Sequence, residues 1–218
     1  MFPYPIGFNT SAAAGLADID NVYSMAFDGI DDYVATGFTG EVHSCSFWFK
    51  PDAEINTSST WGCFMGFEDG SPYGGIYFGP VVSGVTNELI TVYGGGLGIK
   101  SYYSQVGGTI NTDWHHLVIS WTGTQYNIYL DNVNKFTDTY PVGYDVDVID
   151  ATRCDIGCRI LGGAITGAFD GLIDEVALFD YELSADDVTA IYNDTSTGKT
   201  ADLSSMTTPP IAWYRMGD

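Results

Sequence analysis

Short runs of alternating apolar and polar residues, each ending near a glycine, proline, asparagine or aspartate, constrain the fold of this chain more than any other feature. The clearest runs are 45–50 (CSFWFK), 114–121 (WHHLVISW) and 125–131 (QYNIYLD). Alternation places successive side chains on opposite faces of a strand, and short, evenly spaced strands favour a sandwich or a barrel. With 218 residues, the chain is long enough for one large all-β domain.

One α-helix is predicted after the last long run. Ser184 suits the N-cap position, and the acids Asp186 and Asp187 in the first turn favour the positive end of the helix dipole. Val188 and Ile191 then fall on one face, which predicts that the helix packs on the sheet.

The charge balance limits the classes of partner. The chain has 7 basic and 28 acidic residues, a formal net charge of −21. Such a field repels nucleic acid and anionic membranes, and no stretch approaches the about 18 apolar residues of a membrane span. An acidic surface favours solubility in salty water, where carboxylate repulsion is screened, or binding of Ca²⁺ through oxygen ligands.

The four cysteines leave two alternatives open. They form no C-x-x-C pair, which argues against zinc. Cys154 and Cys158 are predicted to share a strand, where four residues span about 13 Å, too far for a mutual bridge without a bend. A bridge between Cys45 and Cys63 is the expected pairing if one forms, since their strands could be neighbours. Four cysteines allow three pairings, and sequence cannot choose among them. The alternative is that all four are free, buried thiols.

An ordered set of motifs resembles the laminin-G-like, concanavalin-type jelly-roll domains of many bacterial and viral surface proteins. The segments are 27–34 (FDGIDDYV), 45–51 (CSFWFKP), 113–121 (DWHHLVISW), 126–132 (YNIYLDN), 154–157 (CDIG) and 169–192 (FDGLIDEVALFDYELSADDVTAIY). The resemblance covers about residues 22–194. It implies an all-β, two-sheet antiparallel jelly-roll sandwich of the concanavalin A-like kind, with one short C-terminal helix.

The C-terminal segment 210–218 (PIAWYRMGD) resembles the strand that usually opens such a domain. It either folds back into that edge position, as in a permuted chain, or begins a second domain. The predicted organisation is an extended N-terminal arm (1–20), the sandwich (21–194) and a C-terminal linker with a strand-like extension (195–218).

The resemblance also implies a structural Ca²⁺ site where the FDG turn and the IDE strand lie side by side. Carried over to this chain, the side-chain ligands are Asp28 and Asp174, assisted by backbone carbonyls around Gly29. The alternative is that Asp28 and Asp31 make only Asx-turns, in which the carboxylate caps backbone N–H groups.

An enzyme is not the expected function. β-Glucanases of the same architecture carry two Glu and one Asp at positions i, i+2 and i+5 of a strand. Asp145, Asp147 and Asp150 match the spacing, but the shorter side chains would misplace both the acid and the nucleophile. His115 and His116 point to opposite faces of their strand, and no G-x-S-x-G motif occurs.

Sugar binding is the sharper positive hypothesis, because lectin sites place aromatic rings against the apolar face of a pyranose. The candidate residues are Trp61, Tyr73, Tyr102 and Tyr103, and Tyr77 and Tyr93 complete the set. The alternative for each is ordinary cross-strand packing.

The cellular setting is predicted from two observations that disagree, the extracellular role of the family and the absence of a signal-peptide pattern. Domains of this family act outside cells, yet the first 20 residues lack the basic n-region and long apolar h-region of a signal peptide. A virion structural or decoration protein reconciles the two, because particles leave by lysis. The expected location is therefore the virion surface, with residues 1–20 contacting other virion or surface-layer subunits and a host-surface glycan as a further partner. An adhesion module of an extracellular or bacterial cell-surface protein is the alternative, and a glycoside hydrolase comes third.

Overall fold

The computed structural model describes residues 16–56, 61–68, 74–79, 88–93, 99–103, 109–121, 125–139, 149–192 and 199–217. Within these residues the strands are β1 (Asp18–Asp20), β2 (Met25–Asp28), β3 (Val34–Ala35), β4 (Gly40–Val42), β5 (Ser44–Pro51), β6 (Ile55–Asn56), β7 (Gly62–Glu68), β8 (Gly75–Phe78), β9 (Glu88–Tyr93), β10 (Ile99–Tyr103), β11 (Thr109–Ile110), β12 (His115–Trp121), β13 (Gln125–Leu130), β14 (Val133–Thr139), β15 (Ile149–Ala151), β16 (Arg153–Ile156), β17 (Arg159–Leu161), β18 (Ala164–Thr166), β19 (Asp170–Phe179), β20 (Lys199–Ala201) and β21 (Ala212–Tyr214). The helix α1 spans Ala185–Tyr192, and a 3₁₀ turn spans Leu203–Ser205. None of the helices in these residues is long and apolar enough to span a membrane.

Two antiparallel sheets form the body of the protein, which confirms the predicted sandwich. One sheet has the strand order β10-β9-β8-β7-β16-β3, and is called the six-stranded sheet below. The other has the order β14-β13-β12-β5-β19-β2 with β21 as its seventh strand, and is called the seven-stranded sheet. Shorter pairs, including the β17–β18 hairpin and the β1–β20 pair, surround them.

The main core lies between the sheets. Alternating residues of β5 and β12, such as Phe47, Phe49 and Leu117, meet Phe64 and Ile76 of the six-stranded sheet. The rings of Phe49 and Phe64 lie 4.6 Å apart. The alternation seen in the sequence is therefore the pleat of strands that each have one face in this core.

A second apolar cluster covers the outer face of the seven-stranded sheet. Val188 and Ile191 of α1 pack there with Leu203. The predicted N-cap is present: the Ser184 hydroxyl accepts a hydrogen bond from the Asp187 N–H at 3.2 Å, and the Asp187 carboxylate accepts one from the Ser184 N–H at 2.9 Å. This reciprocal pair is a capping box with Asp in place of Glu.

The C-terminal segment folds back onto the sandwich, which is the first of the two alternatives given for it. β21 pairs with Val176–Leu178 of β19, and β2 pairs with 170–173 of the same strand on the same edge. A bulge between Asp174 and Ala177 separates the two pairings, and Glu175 within it has a φ of 51°.

The cysteine pairing expected from the sequence is wrong. Cys45 lies in β5 of the seven-stranded sheet, whereas Cys63 lies in β7 of the six-stranded sheet. All four cysteines are free and buried, which is the alternative that the sequence left open.

Candidate functional site

Trp61 lies immediately before β7, at the outer face of the six-stranded sheet. Its indole packs over Gly167, where a Cβ would lie 2.3 Å from the ring atom Cζ3. Gly167 also has a φ of 62°, so any larger residue there would be strained and would displace the ring. Trp61 as a whole is partly exposed, and glycine at 167 leaves the space that its ring occupies.

Tyr77 and Arg159 complete an aromatic–guanidinium cluster with Trp61. The rings of Trp61 and Tyr77 meet edge to face, with centroids 6.1 Å apart. The Arg159 guanidinium carbon lies 5.4 Å from the Trp61 ring centroid and 5.7 Å from that of Tyr77, within cation–π range. Arg159 also donates to the Tyr77 hydroxyl at 3.4 Å and to the Thr166 hydroxyl at 3.2 Å.

The β17–β18 hairpin carries Arg159 to this face because Gly66 of β7 leaves room for it. A Cβ on Gly66 would lie 2.7 Å from the Cys158 carbonyl oxygen and 2.9 Å from Arg159 Cα. Asp155 pairs with Gly66, and its carboxylate accepts a hydrogen bond from Arg153 at 2.5 Å. Two of the three arginines of a strongly acidic chain therefore lie on this face.

The tyrosines predicted for ligand binding occupy different positions in the structure. Tyr77 is fully buried beneath Trp61 and Arg159 and supports the cluster rather than offering its ring. Tyr93 lies in β9, and Tyr102 and Tyr103 lie in β10 beside a register shift, on the same sheet. Tyr73 lies outside the described residues.

Sequence reasoning missed Arg159 and Thr166. Their contribution depends on a hairpin folding over a distant strand, which no local pattern reveals. One signal was available: arginine is rare in this chain, and Arg153 and Arg159 lie six residues apart on either side of a glycine.

The residues predicted to hold calcium do not converge. Asp28 pairs with Asp170, whereas Asp174 lies four residues further along β19, about 13 Å away for a strand. Asp174 is also buried, and a Ca²⁺ ion needs its oxygen ligands within about 2.6 Å. Asp28 and Asp174 therefore do not fit a shared ion.

Asp28 instead makes the Asx-turn given as the alternative. Its carboxylate accepts hydrogen bonds from the Ile30 N–H at 2.8 Å and the Asp31 N–H at 3.3 Å. These bonds, led by the one from Ile30, lower the pKa of the Asp28 carboxyl. Oxygen atoms of Asp28, Asp31 and Asp32 lie within 4.8 Å of one another on the surface, beside Gly29 with its φ of 72°.

Among the described residues, the serine and histidine side chains with catalytic potential, Ser46, His115 and His116, are buried or hydrogen-bonded to neighbours. Ser46 Oγ and His116 Nε2 lie 2.8 Å apart, but the Nδ1 atom of this buried His116 has no hydrogen-bond partner. Because Nδ1 lacks a partner, no acid orients the ring as in a triad. Burial lowers the pKa of His116 to about 3, so the ring is neutral near pH 7. His115 contacts the Asp131 carboxylate at 2.8 Å. The Asp145 and Asp147 pair lies outside the described residues.

Solved structures share the fold at low sequence identity. A Bacteroides ovatus protein assigned as carbohydrate binding matches with a TM-score of 0.62 and 14% identity over 94% of this chain and 53% of that one. This chain therefore spans about half the length of that protein. Domain 4 of a Geobacillus stearothermophilus arabinanase, solved with arabinotriose, gives 0.53 and 19% over 81% of this chain and 80% of that one. A carbohydrate-binding module of a Ruminococcus gnavus sialidase, bound to α2,3-sialyllactose, gives 0.52 and 10% over 83% of this chain and 100% of that one.

The family comparison is more specific than the structural one. A search of curated protein sequences gave no match. The model of one family, described as the concanavalin A-like lectin/glucanases superfamily, matches residues 28–189. The match runs from the Asp28 turn into α1, and the fold is that of lectins and carbohydrate-binding modules. The chain belongs to the laminin-G-like branch of the concanavalin A-like lectin/glucanase superfamily.

Proposed function

We propose that this protein is a non-enzymatic glycan-binding module and that its site is the outer face of the six-stranded sheet around Trp61 and Arg159. One observation carries the proposal. The Arg159 guanidinium and the indole of the partly exposed Trp61 are held against each other on this face. An apolar ring beside a planar array of N–H donors suits a pyranose, which has apolar C–H faces and equatorial hydroxyls.

The surroundings of the pair favour a preformed site. Trp61 is held by Gly167 and Tyr77, and Arg159 is held by the hydroxyls of Tyr77 and Thr166. Side chains fixed before binding lose little conformational entropy when a ligand arrives. Two of the similar structures were solved with arabinotriose and with sialyllactose, which supports a saccharide as the ligand class.

The binding assay compares variants of Trp61 and Arg159 with a variant of Trp114, a tryptophan outside the cluster. Purified protein is screened on a glycan array, and the affinity for each positive glycan is measured by calorimetry. We expect Trp61→Ala and Arg159→Gln to weaken binding about five- to tenfold, since stacking and a charged hydrogen bond each contribute about 1–1.5 kcal/mol.

Trp114→Ala is the matched control, because Trp114 is 39% exposed and takes no part in the cluster. We expect it to bind like the wild type. Loss of binding in Trp114→Ala with retention in Trp61→Ala would place the site elsewhere and refute the proposal. A protein that binds no glycan on the array would refute glycan binding itself.

The non-enzymatic part of the proposal has its own test. We expect no new reducing ends when the protein is incubated with β-glucans, arabinan and sialosides. Turnover that is abolished by Asp147→Asn would instead establish a glycosidase.

For the biological setting, we propose display on a virion, as a structural or decoration protein whose residues 1–20 contact neighbouring subunits. The virion proposal rests on the family's extracellular role together with the aromatic residues Phe2, Tyr4 and Phe8 near the N-terminus. Negative-stain images and mass spectrometry of particles from the source culture test it. Recovery of the chain only with cell envelopes would favour a bacterial surface adhesin.

A further inference from the structure

Exposed apolar side chains concentrate along one edge of the sandwich. The described part of the chain exposes eight large apolar side chains, and six of them lie in or close to β2 and β21, the two strands that share an edge of β19. These six are Val22, Tyr23, Met25, Ile30, Tyr33 and Ile211. Such a concentration on a strongly acidic chain indicates an interaction surface.

The backbone of β2 also faces outward along this edge. In the described residues β2 pairs with β19 alone. The Gly29 N–H points toward β19, because it donates to the Phe169 carbonyl at 3.0 Å. Successive residues of a strand alternate in direction, so the N–H groups of Asp28 and Ala26 point outward. The Asp28 N–H accordingly donates to the Asp32 carboxylate at 3.2 Å, and the groups of Ala26 offer the first rung for an added strand.

The residues of this edge limit what kind of strand can join it. β2 contains neither Lys nor Pro, which commonly protect edge strands from addition. The exposed charges around it are carboxylates, those of Asp28, Asp31, Asp32 and Asp170. Such an edge repels the other acidic surfaces of a chain with net charge −21. A suitable strand is therefore apolar and has no acidic residue.

The segment 2–8 (FPYPIGF) has the sequence of such a strand. Every second position is apolar and belongs to one face of a strand, namely Phe2, Tyr4, Ile6 and Phe8. Pro3 and Pro5 occupy positions between them. Since proline has no N–H, one side of such a strand has lost donors, while the side with the four apolar residues keeps them. The pattern is typical of a strand that joins an existing edge and ends the sheet.

We propose that the edge formed by β2 and β21 receives residues 2–8 of a second copy of this chain as an added strand. This rests on the proposed contact of residues 1–20 with neighbouring subunits, and it names the surface that receives them. Backbone hydrogen bonds that begin at Ala26 hold the added strand, and its apolar side chains pack beside Met25.

The uncharged stretch around the segment allows two acidic molecules to associate. No charged side chain occurs in 1–17. Residues 9–15 span up to about 24 Å between the segment and Leu16, which packs on the second apolar cluster. That length exceeds the Debye length of about 8 Å at physiological ionic strength, so repulsion between the two bodies is screened. Because each copy donates at one place and receives at another, the contact is heterologous and produces rings or chains of molecules.

Sedimentation velocity of the full chain tests the association. In about 1 M NaCl, where the Debye length is about 3 Å, we expect oligomers that grow with protein concentration, and smaller oligomers at low salt. A wild-type protein that stays monomeric at every concentration and salt would overturn the proposal. That outcome includes the case in which segment 2–8 binds only its own chain.

Two variants interrupt the contact from its two sides. Met25→Lys places a charge without a partner in the receiving edge, and the exchange of Pro5 and Ile6 (Pro5→Ile with Ile6→Pro) puts a proline on each side of the donated strand. Each should weaken association at least about tenfold. Val133→Lys is the matched control, because Val133 is exposed on β14 at the opposite edge of the same sheet. Loss of association in Val133→Lys with retention in Met25→Lys would assign the contact to the wrong edge.

An equal mixture of the two interrupted variants distinguishes donor from receiver. The exchange variant keeps the receiving edge, and Met25→Lys keeps the donated segment, so the mixture should form dimers and no larger species. A mixture that remains monomeric, or that grows as the wild type does, would contradict a donated strand. If Met25→Lys does not fold, Ala26→Pro takes its place, since it removes only an outward N–H.

The failure of this proposal is separable from that of the proposed function. Absence of the chain from source particles would refute the virion setting and leave the association in solution unchanged. A protein that binds glycans and remains monomeric would refute the donated strand alone.

Discussion

Replacing Glu175 tests how the C-terminal strand is held on the sandwich. The Glu175 carboxylate is only 4% exposed and accepts hydrogen bonds from Trp213 Nε1 at 2.6 Å, Asn21 Nδ2 at 3.2 Å and Arg215 Nε at 3.3 Å. These bonds join β19 to the segments at both ends of the described chain. Glu175→Ala leaves their donors unpaired in a partly exposed setting, and we expect it to lower the free energy of unfolding by about 2–4 kcal/mol.

The backbone of Glu175 allows a sharper comparison between two variants. Its φ of 51° is left-handed, which costs a residue with a Cβ about 1–2 kcal/mol. Glycine escapes that cost but loses about 0.5–1 kcal/mol through its greater freedom in the unfolded chain. Glu175→Gly should therefore be more stable than Glu175→Ala by roughly 0.5–1 kcal/mol. In an ordinary strand the order is reversed.

The charge of Glu175 is tested by pH. Burial is the largest effect on this carboxyl and raises its pKa above the ordinary value of 4.5, although the bonds from Trp213 and Arg215 oppose the rise. The folded state therefore holds the proton more tightly than the unfolded state. Stability from this group is highest at low pH and falls as pH rises from 4.5 through the folded pKa. Glu175→Gln lacks this dependence.

Urea unfolding between pH 4 and pH 8, extrapolated linearly to water, measures all three variants. Glu175→Ala at least as stable as Glu175→Gly would refute the strain argument. A wild-type advantage over Glu175→Gln that grows with pH would show that the partners of the carboxylate outweigh its desolvation.

Three further predictions concern other parts of the fold. If the surface turn 28–32 binds Ca²⁺, adding the ion should raise the melting midpoint of the wild type but not that of Asp31→Asn. Equal wild-type midpoints with Ca²⁺ and with chelator would exclude a structural ion there. Gly157→Ala should destabilise the protein by more than about 2 kcal/mol in urea, because its Cβ would lie 2.3 Å from the Phe27 ring. His116, neutral when buried and with a pKa of about 3, should cause a loss of stability as pH falls below 6.5, and a pH titration of His116→Gln should show a smaller loss.

Features set by neighbouring residues were predictable from the sequence. The alternation of 45–50 and 114–121 gave β5 and β12, and Ser184 gave the start of α1. Each depends on contacts within a strand or within one helical turn, where side-chain periodicity and capping chemistry act directly.

Features set by long-range register were not predictable. Which strand faces Cys63, whether Asp174 reaches Asp28, and what Arg159 touches all depend on how distant strands align. The left-handed backbone conformation of Glu175 was equally unpredictable from the sequence. No local preference favours this conformation, and only the hydrogen-bond partners of the buried side chain hold it there.

The edge of β19 shared by β2 and β21 affects how the chain matures on the ribosome. The stretch Val176–Leu178 pairs with β5 on one edge, and it obtains its neighbour on the other edge only when Ala212–Tyr214 has been made. At about 5–20 residues per second, the 35 residues from Asp180 to Tyr214 take roughly 2–7 s to synthesise. During that interval a nascent chain presents an open strand edge, and unpaired edges template association with other chains. Nascent copies on one polysome are therefore at their most aggregation-prone just before this closing strand emerges.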